Sequence, residues 1–405
     1  MALFFVVSMV AAYASRNLIF EQRTSANQYR STQAFEAAEA GLEWALAMLN
    51  GGRVDAACLP TVDPTFDEFR TRHLSADVST GIYTPTTWDN AGIATPLRAS
   101  CVRNAGGWDC SCPSTGATNL VAPVGDGSFP AFSVRFEATG LPGLVRAYSV
   151  ACTALNNNCL RQGLGTAGDA AATVSALVGL ARSLPTAPAA PLTVRGNLDV
   201  GGFALHVANA DAATNGITVN TGGSFSAANA VLDTVPGAPG GNSVVDNDAS
   251  LSGLSADRMF LSFLGVDRNT FKRQPSTLVV SCESGGCATS LRDTINSNPG
   301  RPIWIDGNLT LESDVTLGSA AQPVLLVVRG NITLATAGTY IFGIVYSQAT
   351  TWTADGAGVV QGAAMAEGAF SGSSAPAFVY DADVVNRLRL TYGSMIRVPG
   401  GWRDF

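Results

Sequence analysis

Two adjoining stretches decide the fold: MALFFVVSMVAAYASRNLIF (residues 1–20) and NQYRSTQAFEAAEAGLEWALAML (residues 27–49). The first is apolar apart from Arg16 and a few small polar residues. The second is rich in Ala, Leu, Glu and Met, which are strong helix formers. No proline interrupts residues 1–50, and Gly41 is the only glycine before Gly51. At about 1.5 Å per residue the segment makes one rod of about 75 Å. Gly51 and Gly52 are expected to end it as a C-cap pair.

About twenty residues of helix match the thickness of a hydrocarbon core, so residues 1–20 are expected to insert in a membrane, with Met1, Phe5, Leu18, Ile19 and Phe20 among the helix residues that do so. A cleavable signal peptide is the rival reading, and Ala12-Tyr13-Ala14 resembles its cleavage site. Against it, no basic segment precedes the apolar run, and the helical pattern continues past Ala14. Met1 is therefore read as a processed N-terminus. In the second half, Phe35, Ala38, Leu42, Ala45, Leu46 and Leu49 recur at three- and four-residue steps. They form a stripe that docks the helix on its own domain, while Glu36, Glu39 and Glu43 read as a solvated face.

At 405 residues the chain suggests two or three domains. Only 14% is charged, 46% is hydrophobic, and 43 glycines favour turns and β-structure. A net charge of −7 and a single lysine, Lys272, argue against a nucleic-acid surface. His73 and His206 lie far apart, and no His/Cys cluster has zinc spacing. Eight cysteines occupy Gly/Asn/Ser-rich loops: Cys58, Cys101, Cys110, Cys112, Cys152, Cys159, Cys282 and Cys287. Behind an exported helix they read as four disulfides. Cys152 with Cys159 and Cys282 with Cys287 are candidate short loops, leaving the first four to pair among themselves in an order the sequence leaves open.

Residues 53–130 read as a loop-rich, disulfide-stapled layer. FSVRFEAT (132–139) and LVRAYSVACT (144–153) flank Gly140-Leu141-Pro142-Gly143 as a hairpin. DAAATVSALVGLARSL (169–184) reads as a helix, and PTAPAAP (185–191) as a stiff linker. Beyond it RGNLDV (195–200), DGNLTL (306–311) and RGNITL (329–334) repeat one Gly-Asn cassette ahead of an alternating strand. Rungs with Gly/Asn corners suggest a short β-solenoid, with a β-sandwich as the alternative. Residues 254–267 and 290–298 read as helical insertions, and residues 384–405 as a helical turn, a strand and a Trp-Arg-Asp ending.

The arrangement resembles a type IV pilin subunit. Residues 27–46 resemble the N-terminal signature of PilX-type minor pilins through Asn27, Arg30, Ala34, Phe35, Ala37, Ala38, Glu39 and Ala40. The ending Pro399-Gly400-Gly401-Trp402-Arg403 is similar to the close of large PilX-like proteins, with Trp402 as a core or interface plug. The resemblance implies an α+β fold: a pilin helix (1–52), a disulfide-stapled head with a small antiparallel sheet (53–184), the linker (185–191) and a Gly-rich β domain with helical insertions (192–405). It implies partners among minor and major pilins and a large tip adhesin. It also implies an inner-membrane stage, with the head in the periplasm, before an extracellular pilus, and no cofactor. Pilins usually carry Glu at mature position 5, where this chain has Phe5; the large tip pseudopilin of type II secretion also lacks that Glu. A tip position is the expectation.

Two other function classes are compatible with a β-rich body. A surface adhesin or carbohydrate-binding module would show an exposed aromatic groove in the β domain. A β-solenoid carbohydrate-active enzyme would need a carboxylate pair across a cleft. Asp306, Glu312, Asp314, Asp355 and Glu367 are available, but none forms a paired motif, and no catalytic or metal residues are assigned. Asp246-Asn247-Asp248 offers oxygen ligands without the spacing of a known calcium loop.

Overall fold

The computed structural model describes residues 2–125, 128–155, 170–282, 287–372, 374 and 376–404. Met1 and Cys159 lie outside them. One uninterrupted helix runs Ala2–Leu49. Asn50 ends it, rather than the expected glycine pair. Neither Gly51 nor Gly52 takes a left-handed φ. The Asn50 amide donates to Leu46 O at 2.9 Å and Met395 O at 2.8 Å, and its Oδ1 accepts from Met395 N at 2.8 Å. Arg70 adds a cation at the same end, with Nε donating to Leu49 O at 2.9 Å, where the helix dipole favours positive charge.

The second half of the helix lies on an antiparallel sheet. Its strand order is Gly393–Arg397, Ala171–Arg182, Leu144–Cys152, Ala131–Ala138, Ala99–Asn104, Gly107–Ser111. The expected hairpin is present, pairing Ala131 with Cys152 through to Ala138 with Val145. Residues 169–184 correct the expectation of a helix: Ala171–Arg182 is a strand, paired from Ala171 to Gly179 with Leu144–Cys152. Val174, Ala176 and Val178 alternate into the core, while Ser175, Leu177, Gly179 and Ala181 on the other face are small or apolar and buried or half-buried, so the polar alternation that marks a half-buried strand is lost. Residues 53–130 hold more regular structure than expected, with a helical turn at Phe69–His73 and short strands at Leu74–Ala76, Tyr83–Pro85, Thr87–Asn90 and Ile93–Pro96.

The first four cysteines do pair among themselves, as Cys58–Cys112 and Cys101–Cys110, and Cys282 pairs with Cys287. Cys152 is disulfide-bonded as well. Its expected partner, Cys159, lies outside the described residues. Buried Arg72 braces the first bridge, donating to Cys112 O at 2.7 Å and Asp55 O at 3.0 Å.

Between residues 192 and 379 the strand pairs are parallel, unlike those of a sandwich of hairpins. One inward column runs Leu278, Ile303, Leu326, Val345, Ala364, Leu192, Val219, Val244. Spatial order is not chain order. The first strand, Leu192–Val194, docks on Val359–Ala366, so the chain enters its own stack in the middle, builds to one end, crosses over, and builds back from the other. The Gly-Asn cassettes are corner devices. Oδ1 of Asn197, Asn308 and Asn331 accepts the backbone N–H of Ser224, Asn331 and Thr353 respectively, each one rung away. Two long strands, Tyr340–Ser347 and Val359–Ala366, turn a corner at Gly343 and Gly362. These have φ of +154° and +138°, and a Cβ on either would sit about 2 Å from a carbonyl oxygen of the next rung.

Helices cover one outer face. Met259, Phe260, Leu264 and Phe271 pack with Val384, Val385 and Leu388 against Trp304, Leu325, Ile344, Tyr346 and Met365. The expected insertions are present as Ala256–Leu264 and Ala288–Ser297. The linker is packed rather than free: Ala190 is buried, and Tyr380 donates to Pro188 O at 3.1 Å. The tail then rejoins the head, where Gly393 pairs with Arg182 and Arg397 with Val178. Residues 393–404, grouped by sequence with 192–405, thus pair with the head sheet, and residues 183–392 form one long connection between two directly paired strands.

Candidate functional site: the protruding helix

Residues 4–32 of the long helix are exposed around the whole circumference. Phe4 is 78% exposed, Phe5 69% and Phe20 71%, and Leu18 and Ile19 are also exposed. A surface this apolar is costly in water and calls for a lipid or protein neighbour. Two hydroxyls within it are satisfied by the helix itself: Ser8 donates to Phe4 O at 2.8 Å, and Thr24 to Phe20 O at 2.9 Å. By length and composition this helix can cross a membrane.

The change from exposed to buried falls at Gln33, whose Oε1 accepts from Ser128 at 2.7 Å. Beyond it the expected stripe is in place. Ala38, Leu42, Ala45 and Leu49 are buried, and Leu46 and Phe35 are half-buried. Glu36, Glu39 and Glu43 face outward, with Glu43 paired to Arg397 of the tail. Trp402, expected as a core or interface plug, is 38% exposed at the shoulder where the helix emerges and meets the Phe35 ring edge-to-face at 6.4 Å. Gly41 lies tight against the sheet, with no room for a Cβ beside Ser149 and Phe132. Asn50 and Arg70 hold the helix end through polar contacts between segments far apart in sequence, and no local signal marks them.

Three of the carboxylates named from the sequence, Asp306, Glu367 and Asp248, are engaged with their neighbours. Asp306 accepts from Lys272 Nζ at 2.6 Å and Trp304 Nε1 at 2.9 Å, and these bonds hold its pKa below the usual range. Glu367 is buried against Arg268, with burial pushing its pKa up. Asp248 caps the helical turn Ala249–Ser252 through Ser250 N at 2.8 Å.

A long helix, apolar and unpacked at one end and seated on an antiparallel sheet at the other, gives the chain an α+β architecture. Residues 3–43 match the family described as PilX N-terminal. No curated protein sequence matches the chain. Among solved structures it is similar to a crystal structure of the competence-associated pilin ComZ from Thermus thermophilus, with 12% identity, a TM-score of 0.23, and coverage of 93% of this chain and 97% of that one.

Proposed function

We propose that the chain is a minor pilin of a type IV pilus-like filament, held in a membrane by its first half-helix and then packed by it against other pilins, with the β-rich body, read as a short β-solenoid, carried outward. The observation that supports this most is the abrupt change at Gln33: the same helix is unpacked before it and core-forming after it. Nothing within the described chain covers the first part, so its partner is another molecule or a bilayer. Removing residues 1–25 should leave the head core intact and turn the protein from membrane-bound to soluble and monomeric. Retention of the truncated protein in the membrane fraction would count against the anchor.

Within that reading the subunit starts or caps the filament, because a body of this size would crowd a closely repeating shaft. Gold labelling of the body on sheared filaments should mark one end. Label along the shaft would overturn the tip position.

The adhesin reading has less support. Among the described residues of the body, Trp304 and Trp352 are buried, and the exposed aromatics are Phe203 and Tyr340, on different strands or turns of the stack.

A further inference from the structure

The long helix carries its charges in a pattern. Arg16, Arg23 and Arg30 are spaced by seven residues, close to two helical turns, so they share one side of the rod. It is the side that Ala34, Ala38 and Ala45 turn to the sheet further along. Before the head begins that side is bare, with Arg16, Phe20 and Arg23 exposed. Glu36 and Glu43 are also spaced by seven, on the opposite side, in line with Ala40 and Ala47. These four are exposed as well, although they lie along the head. One rod thus has a cationic stripe in its first half and an acidic stripe, facing the other way, in its second.

The two stripes match in register. Glu36 and Glu43 lie twenty residues beyond Arg16 and Arg23, and Ala40 lies twenty beyond Phe20. In two parallel helices shifted by that amount, about 30 Å, both charge pairs come level and the large Phe20 meets a small residue. A shift of thirteen would also pair two arginines with Glu36 and Glu43. It sets Phe20 against Gln33, however, and it needs Arg30, which is engaged within its own chain.

The charges differ in what they have at hand. Among the described residues Arg16, Arg23 and Glu36 form no ion pair. Arg16 lies within the membrane-length segment, and an arginine drawn into an apolar bundle needs a carboxylate. Glu43 already shares its carboxylate with Arg397. Beside Glu36 and Ala40 a half-open groove of about 450 Å³ separates the helix from Trp108 and Arg103 of the head. Arg103 is a like charge for an incoming arginine, so Glu36 is the residue that selects it.

We propose that the exposed half-helix of a second copy of this chain lies along the acidic side, raised by twenty residues, with its Arg16 on Glu36, its Phe20 on Ala40 and its Arg23 on Glu43. The inference rests on the pilin reading and gives its helix packing a register. A bilayer holds the apolar segments of all copies at one depth, so the raised contact belongs to copies drawn out of it.

Two full-length copies with different tags, one carrying Phe20→Cys and the other Ala40→Cys, are mixed in detergent at low salt and oxidised. A disulfide-linked pair of the two tags is expected, and high salt should reduce its yield. Arg16→Glu in the first copy should lower the yield about tenfold, and Glu36→Arg added to the second should restore it. Rescue by the exchanged charges is not expected from a merely structural role of either residue. A link between two Phe20→Cys copies in place of the Phe20→Cys/Ala40→Cys link would mean that the helices pair level, and overturns the proposal. So does a yield that Arg16→Glu leaves unchanged, or one that Glu36→Arg does not restore. A chain that reaches the membrane fraction of cells yet gives no Phe20→Cys/Ala40→Cys link overturns the register alone; one that never reaches that fraction overturns the pilin reading with it.

Discussion

Gly41→Leu is expected to destabilise the head by about 3 kcal/mol through overpacking. A Cβ at Gly41 would already lie 2.4 Å from Ser149 Oγ and 2.7 Å from the Phe132 ring. Neither can give way easily. Ser149 is fully buried on the central sheet, and Phe132 is wedged between Trp44 and Trp108, with ring centroids 5.6 and 4.9 Å away. Gly41→Ala is the sharper control. In an exposed helix it would gain about 1 kcal/mol from propensity alone. Here the close approach should reverse that sign. Urea unfolding of the form lacking residues 1–25 measures both, and a stabilised Gly41→Ala protein would show that helix and sheet are not in tight contact.

Opening the Cys58–Cys112 bridge by a double serine substitution should cost about 4 kcal/mol, against about 2.5 kcal/mol for Cys101–Cys110. The ranking follows from sequence separations of 54 and 9. The longer loop constrains the unfolded chain more, and the shorter bridge joins two strands that the ladder already holds in register. Arg72 widens the gap, because its buried guanidinium depends on the carbonyls of Cys112 and Asp55. Thermal melts of the two double mutants should therefore show the larger drop for the first. The reverse order would mean that the loop around residues 55–72 keeps its shape without the covalent tie.

The parts legible in the sequence are those with local causes. The half-buried helix shows in its three- and four-residue stripe, the hairpin in its Gly-Leu-Pro-Gly turn, and the corner asparagines in the repeated Gly-Asn cassette. What escaped has distant causes. Ala171–Arg182 is full of alanine and leucine, and its small or apolar second face removes the contrast that would mark a strand. Asn50 looks like any residue before a glycine pair until Met395 is brought beside it. The stacking order of the rungs depends on Leu192–Val194 finding Val359–Ala366 across the length of the body, and no periodicity records that pairing. Of the protruding helix, the apolar residues and Trp402 were legible in the sequence, and the holding residues Asn50 and Arg70 only from the fold.

Arg182 and Gly393 are partners across one ladder, so the body hangs from two adjacent strand ends. A pull on the body reaches Ala171–Arg182 and Gly393–Arg397 at the same end of that ladder and at the same moment. The first of these strands is bonded from Ala171 to Gly179 to Leu144–Cys152, and the second is clamped by Asn50 to the end of the long helix. Tension from the outer face is thereby shared between sheet and helix, and peeling one strand away does not release the load.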